Sequence, residues 1–169
     1  RFVLEHWMLL EYCPNGSLID LLYEKRKSGE FEKRPPMPAR RVLEIFEQVV
    51  GAVATMHAAS PPVTHRDLKL ENVLCNADGD FVLCDFGSCV TETLPAERTR
   101  KQVVIEEERV HKYSTLMYRA PEMVDLYRNQ EVGPKVDVWA LGCILYALCF
   151  IDHPFCEESS LQILNAAYT

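Results

Sequence analysis

No two of the seven cysteines (13, 75, 84, 89, 143, 149 and 156) stand at CxxC spacing, and no His-rich stretch accompanies them. A zinc site is therefore not indicated. An odd number of cysteines, mostly inside apolar runs, reads as buried free thiols of a reducing compartment. None of the seven glycines falls in a GxGxxG pattern, so no Gly-rich phosphate loop lies in this stretch. Basic residues are the minority, 18 against 25 acidic ones, for a formal net charge of −7. That argues against a nucleic-acid partner, because neutralising phosphates takes clustered Lys and Arg. The longest apolar run, "VWALGCILYALCFI" at residues 138–151, falls short of the roughly 20 residues that span a bilayer. It is expected to be a helix buried on all sides, with no transmembrane segment. There is no internal repeat, no signal peptide and no initiator Met. A start on Arg1 and Phe2 within a strand-like run, and an end at "NAAYT", suggest a fragment of a longer protein.

What is present suffices for one core: 169 residues, 48% of them hydrophobic. Residues 6–13, "HWMLLEYC", have strand character and are broken by Pro14, Asn15 and Gly16. Ser17 and Asp20 stand at capping-box spacing, and Leu18, Leu21 and Leu22 form a helical stripe, so a strand should pass through a tight linker into a helix. "GEFEKRPPMP" reads as a loop, its three prolines incompatible with a helix. Over residues 39–59, Val42, Ile45, Phe46, Val49, Val50, Val53 and Met56 keep to one helical face, which predicts a long amphipathic helix ended by Pro61 and Pro62. "NVLC" and "FVLC" around "NADGD" predict a β-hairpin. Residues 85–117 show no stable period and read as a long irregular loop, functional or disordered. A helix can start at Pro121, the buried helix follows Gly133 and Pro134, and a last helix is expected to begin near Glu158.

Between the long helix and the hairpin lies "HRDLKLENVL", residues 65–74. Taken alone it would pass for a solvated run of charge. Its neighbours at fixed distances change that reading. Asp67 precedes Asn72 by five residues, and thirteen residues after Asn72 comes Asp85, heading "DFG" at the end of the second hairpin strand. "APE" (Ala120, Pro121, Glu122) and then Asp137, at the head of the buried helix, follow in order.

This ordered set resembles the C-terminal lobe of a eukaryotic-type protein kinase. The segments "LCDFGS", "EEERV…YSTLMYRAPEMVDLY", "DVWALGCILYALCF" and "HPF" are most similar to those of the Numb-associated kinases, a group that includes the cyclin-G-associated and adaptor-associated kinases. The resemblance implies an α+β, protein kinase-like fold. Residues 1–169 would form a partial kinase domain: the hinge strand, the helical C-lobe and little else of the N-lobe.

It also implies roles. Asp67 would accept or orient the proton of the substrate hydroxyl, Lys69 would contact the transferring phosphate, and Thr115 would bond both beside the substrate. Tyrosine kinases usually lack a lysine at the position of Lys69, which favours Ser or Thr as acceptor. Leu70 stands where many Ser/Thr kinases carry Pro, an apolar choice common in the Numb-associated group. Asn72 and Asp85 would hold Mg²⁺ together with ATP phosphates. Leu10 would be the gatekeeper, with the Glu11 carbonyl and the Cys13 N–H on the adenine edge, Leu74 under the purine and Cys84 at the back of the pocket. His65 would pack beneath Phe86 of the DFG run, which also holds Gly87. Asp137 would hold the His65–Arg66 turn, and Glu122 would pair with an Arg beyond the last helix in this stretch. Arg66 would clamp an anion of the activation segment. Either a phosphate on Thr99, Tyr113 or Ser114, or a carboxylate of "EEE" at residues 106–108, satisfies that requirement.

The function implied is a Ser/Thr protein kinase using ATP and Mg²⁺, acting on protein substrates, with clathrin-adaptor or other trafficking proteins as family-suggested partners. A cytoplasmic site, peripheral to membranes or vesicles, goes with it. The alternative is a truncated or pseudokinase-like binding module. Retention of Asp67, Lys69, Asn72, Asp85, Gly87 and Thr115 favours catalysis, because a scaffold needs no metal ligands. A small-molecule phosphotransferase sharing an H-x-D loop is disfavoured by the DFG and APE segments together.

Overall fold

Apolar side chains at 42, 45, 49 and 53 recur every three or four residues, so an α-helix puts them on one face. In the computed structural model of the chain, which describes residue 5, residues 7–155 and residues 159–168, that helix is α2 (Ala39–His57), with Val42, Ile45, Val49 and Val53 buried. It ends at Ala58, ahead of the two prolines. Its stripe meets α5 (Lys135–Phe150), which buries Val136, Ala140, Leu141, Cys143, Ile144, Ala147 and Leu148. The main core gathers these two helices with Leu18, Leu22, Leu68, Leu70, Val73, Phe81, Tyr118, Phe155 and Ile163. Each such side chain contributes roughly 1.5–3 kcal/mol by leaving water.

Contrary to expectation, α5 is not buried all round. Val138 is 58% and Phe150 65% exposed. With Gly142 and Cys149 they lie along one stripe that no described element covers. Uniform hydrophobicity shows that a helix can be buried but not which face lacks a neighbour.

The first helix, α1 (Leu18–Leu22), is a single turn with Leu18 and Leu22 buried. Asp20 Oδ2 takes the backbone N–H of Ser17 at 2.8 Å and its hydroxyl at 2.7 Å, so the predicted Ser17–Asp20 cap forms. The chain then enters β1 (Tyr23–Lys25), which pairs antiparallel with β2 (Phe31–Lys33), Tyr23 opposite Lys33. The predicted loop at 29–38 thus holds a strand. This exposed ribbon is tied by an Arg26–Glu32 ion pair and by the Arg26 N–H on the Glu30 carbonyl, 2.8 Å. Apart from Tyr23, which packs on the main core, its residues are exposed and show no alternation to read. The predicted second hairpin forms as β3 (Val73–Cys75) and β4 (Phe81–Leu83), with Leu74 opposite Val82. Asn76 Oδ1 accepts the N–H groups of Asp78 and Asp80 to close its turn, and Gly79 adopts φ +87°.

The stretch at 85–117 also departs from expectation. It contains α3 (Arg100–Tyr113), started by a Thr99–Gln102 capping box. The buried face of α3 reads Val103, Glu106, Val110. A carboxylate in the middle of the stripe interrupts its apolar period. The two valines join Ala120, Met123, Leu126, Val132 and Val136 in a second core cluster, and Trp139 packs against both clusters. Within that cluster α4 (Pro121–Val124) starts on its proline, as predicted. The last helix, α6 (Ser160–Leu164), is capped by Ser159; Glu158 lies outside the described residues, as do His6 and Cys156.

The predicted hinge strand does not form over residues 7–13. Trp7, Leu9, Leu10 and Tyr12 are exposed, and the segment pairs with no strand among the described residues. A lone strand leaves its backbone donors and acceptors to water, and without a partner ladder it has no reason to be regular. Among the described residues, no helix is long and apolar enough to cross a membrane.

Candidate active site

The His65–Arg66 turn is organised from below by Asp137, in the first turn of α5 and only 1% exposed. Its Oδ1 accepts the Arg66 N–H at 2.9 Å, and its Oδ2 accepts the His65 N–H at 2.8 Å and meets His57 Nε2 at 2.8 Å. Arg66 takes a left-handed backbone, φ 71°, so that two successive N–H groups converge on one carboxylate. The helix N-terminus favours the negative charge there. His65 is fully buried, its ring 5.6 Å from that of Phe86 and its Nε2 3.1 Å from the Cys84 carbonyl. Ser88 Oγ donates to the His65 carbonyl at 2.7 Å, tying the residue after DFG to the loop.

Above this base, Asp67 is held on both oxygens. Oδ1 accepts the N–H and the hydroxyl of Thr115, each at 2.9 Å, and Oδ2 lies 3.1 Å from Lys69 Nζ. Lys69 Nζ also donates to Thr115 Oγ1 at 3.1 Å. Asn72 sits beneath, its Nδ2 donating to the Asp67 carbonyl at 2.8 Å. The Cys84 N–H reaches the Asn72 carbonyl at 3.0 Å, extending the β3–β4 ladder by one pair. The hairpin therefore puts Asp85 next to the residue that faces Asn72. Asp85 has a left-handed backbone, φ 59°, and an exposed carboxylate that takes the Gly87 N–H at 3.4 Å. An open cleft of about 350 Å³ is lined by Asp67, Lys69, Asp85, Thr115, Lys112 and Tyr113 among others.

The residues expected at the nucleotide base are less well assembled. Leu74 is half-buried and bridges to Ser17. Cys84 is half-buried, and burial pushes its thiol up, with the charges of Asp85 and Cys13 adding and Lys69 opposing. Leu10 is 72% exposed, and Glu11 is exposed as well. Glu122 makes no ion pair among the described residues.

Arg66 turns its guanidinium to Glu106 of α3 in an ion pair whose side chains are 9% and 7% exposed. Other participants escaped the sequence reading. His57 ends α2 eight residues ahead of His65, with no motif to mark it. Arg119 is buried with its Nε and Nη2 on Ser114, 2.9 and 2.8 Å. Burial lowers its pKa from the ordinary arginine value, partly offset by the Asp67 carboxylate nearby. Lys112 was passed over with the helix that carries it.

A family model described as protein kinase domain matches residues 4–168. The chain belongs to that family, and the part of the fold described here is its helical lobe. It is 45% identical over 162 residues, 95% of the chain, to a probable serine/threonine-protein kinase of Dictyostelium discoideum, and 40% identical over 166 residues, 98% of the chain, to a second from the same organism. It is 38% identical over 166 residues, 97% of the chain, to Actin-regulating kinase 1 of Saccharomyces cerevisiae. The chain spans 19%, 14% and 24% of the lengths of these relatives.

Proposed function

We infer that residues 1–169 are part of the catalytic domain of a Ser/Thr protein kinase that transfers the ATP γ-phosphate to a protein hydroxyl. The observation that carries this reading is the closed triangle of Asp67, Lys69 and Thr115 in one cleft with Asp85. Oδ2 of Asp67, steered by Lys69, is the oxygen that receives the hydroxyl proton. The ammonium of Lys69 draws the transferring phosphate toward that hydroxyl. Thr115 fixes the carboxylate through two bonds, so little reorganisation is left for the moment of transfer.

The donor set fits a divalent cation held jointly with phosphates. With its Nδ2 on the Asp67 carbonyl, Asn72 keeps its amide oxygen for a ligand, and Asp85 adds an exposed carboxylate. Among the described residues no three His, Cys, Asp or Glu converge on one point, which suits Mg²⁺, an ion that takes one or two protein oxygens plus phosphate and water. When bound, the ion neutralises phosphate charge during transfer. Adenine would rest against Leu10, Leu74 and Cys84, on the backbone of Glu11 and Cys13.

Membership of the Numb-associated group, with clathrin-adaptor or other trafficking proteins as substrates at the cytoplasmic face of vesicles, rests on the likeness of the "LCDFGS", "YSTLMYRAPEMVDLY" and "DVWALGCILYALCF" segments. A radiolabelled transfer assay on the full-length protein tests the catalytic reading. Asp67→Asn and Asp85→Asn should each lower turnover by ~10²-fold or more. Parental rates from both variants would overturn the residue assignments.

A further inference from the structure

Residues 33–41 read "KRPPMPARR": four basic side chains, no acidic one and three prolines, in a chain whose formal net charge is −7. Proline fixes its own φ near the polyproline II value and pushes the residue before it into the same extended region. Pro35, Pro36 and Pro38 meet the first condition, and Arg34, Pro35 and Met37 the second. Residues 34–38 are thereby constrained to one left-handed extended helix. The structure agrees: the stretch belongs to no α-helix or strand, and Pro38, just ahead of α2, has φ −57° and ψ 141°.

Three residues make one turn of that extended helix, which puts Pro35 and Pro38 on the same face, about 9 Å apart. Both are exposed, as is Pro36. Met37, on another face, is half-buried and packs on the main core, which seats the segment without covering its prolines. The ends are tied as well: the Arg34 N–H bonds the Leu22 carbonyl at 2.8 Å, and the Pro38 carbonyl accepts the Arg41 N–H at 2.8 Å. Between those ties the carbonyls of Pro35, Pro36 and Met37 accept no hydrogen bond among the described residues.

The fold itself gains little from the charge at the far end. The first turn of α2 holds no acidic residue; Arg40 and Arg41 stand there instead, against the helix dipole. Arg41 lies over the Phe81 ring, 5.6 Å from its centroid. The Arg40 side chain is 91% exposed and meets only Glu44, at 3.0 Å, an exposed pair of the kind that contributes little to stability.

We propose that Pro35, Pro38 and Arg40, in the order P-x-x-P-x-R, form a ligand for an SH3 domain. Two exposed prolines one turn apart fit its aromatic-lined grooves, the free carbonyls meet its hydrogen-bond donors, and the guanidinium meets its acidic pocket. Arg40 is carried on the first turn of α2, and its long, exposed side chain supplies the reach. Ring chemistry and the Met37 seat set the extended conformation beforehand, so little ordering entropy is lost on docking. None of these residues lines the catalytic cleft, so the proposal stands apart from the catalytic reading.

The test titrates the full-length protein into a panel of purified, isotope-labelled SH3 domains with acidic specificity pockets, with WW domains in parallel. An SH3 domain should bind, with shifts in the resonances of its aromatic groove. Pro35→Ala and Arg40→Glu should each weaken that binding by about 10-fold or more. Raised salt should weaken binding of the wild type more than that of Arg40→Glu. Both variants change exposed side chains and should melt at the wild-type temperature. A synthetic peptide of residues 32–43 controls for display: binding by the peptide with none by the folded protein would show that the fold withholds the segment, and would overturn the proposal. Absence of binding across the SH3 panel, unchanged affinity in either variant, or a WW domain as the preferred partner would overturn it too.

Discussion

At one end of the cleft, residues 65–72 are held by buried polar bonds to partners far away in sequence: His65 and Arg66 to Asp137, Asp67 to Thr115, Asn72 to Cys84. At the other end, residues 7–13 carry Trp7, Leu9, Leu10 and Tyr12 into solvent, with no strand beside them among the described residues. Both stretches were read from the same sequence as parts of one nucleotide site. The difference lies in where each finds its partners. The backbone and side-chain groups of the loop are met by Asp137, Thr115 and Cys84, so its geometry closes on itself. The segment at 7–13 was expected to act through backbone groups, and backbone groups acquire a direction only from a neighbouring strand. The same comparison explains why substitution should be felt at one end and hardly at the other.

The largest effect is expected at the base of the loop. Asp137→Ala strips three donors of a common acceptor in a site closed to water, and should destabilise the chain by about 3–5 kcal/mol in denaturant unfolding. A loss under about 1 kcal/mol would mean that water enters and replaces it. Next, the same kind of truncation at the two kinds of site should part sharply: Ile144→Ala, in the α2–α5 core, should cost ~2–5 kcal/mol, whereas Leu10→Ala should stay within about 0.5 kcal/mol. Equal costs would show that residues 7–13 are packed in solution. The smallest effect concerns His153, whose imidazole sits edge-on to Tyr118 with centroids 4.6 Å apart. Burial holds its pKa below the ordinary histidine value, against weaker opposing contributions from Phe155 and Asp152. The unfolded state therefore binds the proton first, so this contribution is complete above pH ~6.5 and is lost as pH falls from there through the folded value. Unfolding curves at pH 7 and pH 5 should show a smaller drop in midpoint for His153→Gln than for wild type. An identical drop would assign the acid sensitivity to other groups.

What the sequence made legible follows the same division. Helix α2 and the β3–β4 hairpin announce themselves because each buries one clean face. The motif residues Asp67, Asn72, Asp85 and Asp137 could be placed because spacing plus one hairpin and one helix start brings them near one another. Helix α3 hid because Glu106, paired with Arg66, occupies a core position and breaks the apolar period. The β1–β2 ribbon hid because it is stabilised by exposed charges and backbone bonds. His57 could not be foreseen, since only the packing of α2 against α5 brings its imidazole to Asp137.

The most direct measurement is binding of a paramagnetic divalent ion with nucleotide. Full-length wild type, Asn72→Ala and Asp85→Asn would be titrated with Mn²⁺ and ATP and followed by electron paramagnetic resonance. Convergence of the two side chains on one ion predicts that each substitution weakens Mn²⁺–ATP binding by about 10-fold or more, with ion-free folding and melting unchanged for Asp85→Asn. Wild-type affinity in both variants would mean that Asn72 and Asp85 do not share an ion, contradicting the account of the cleft.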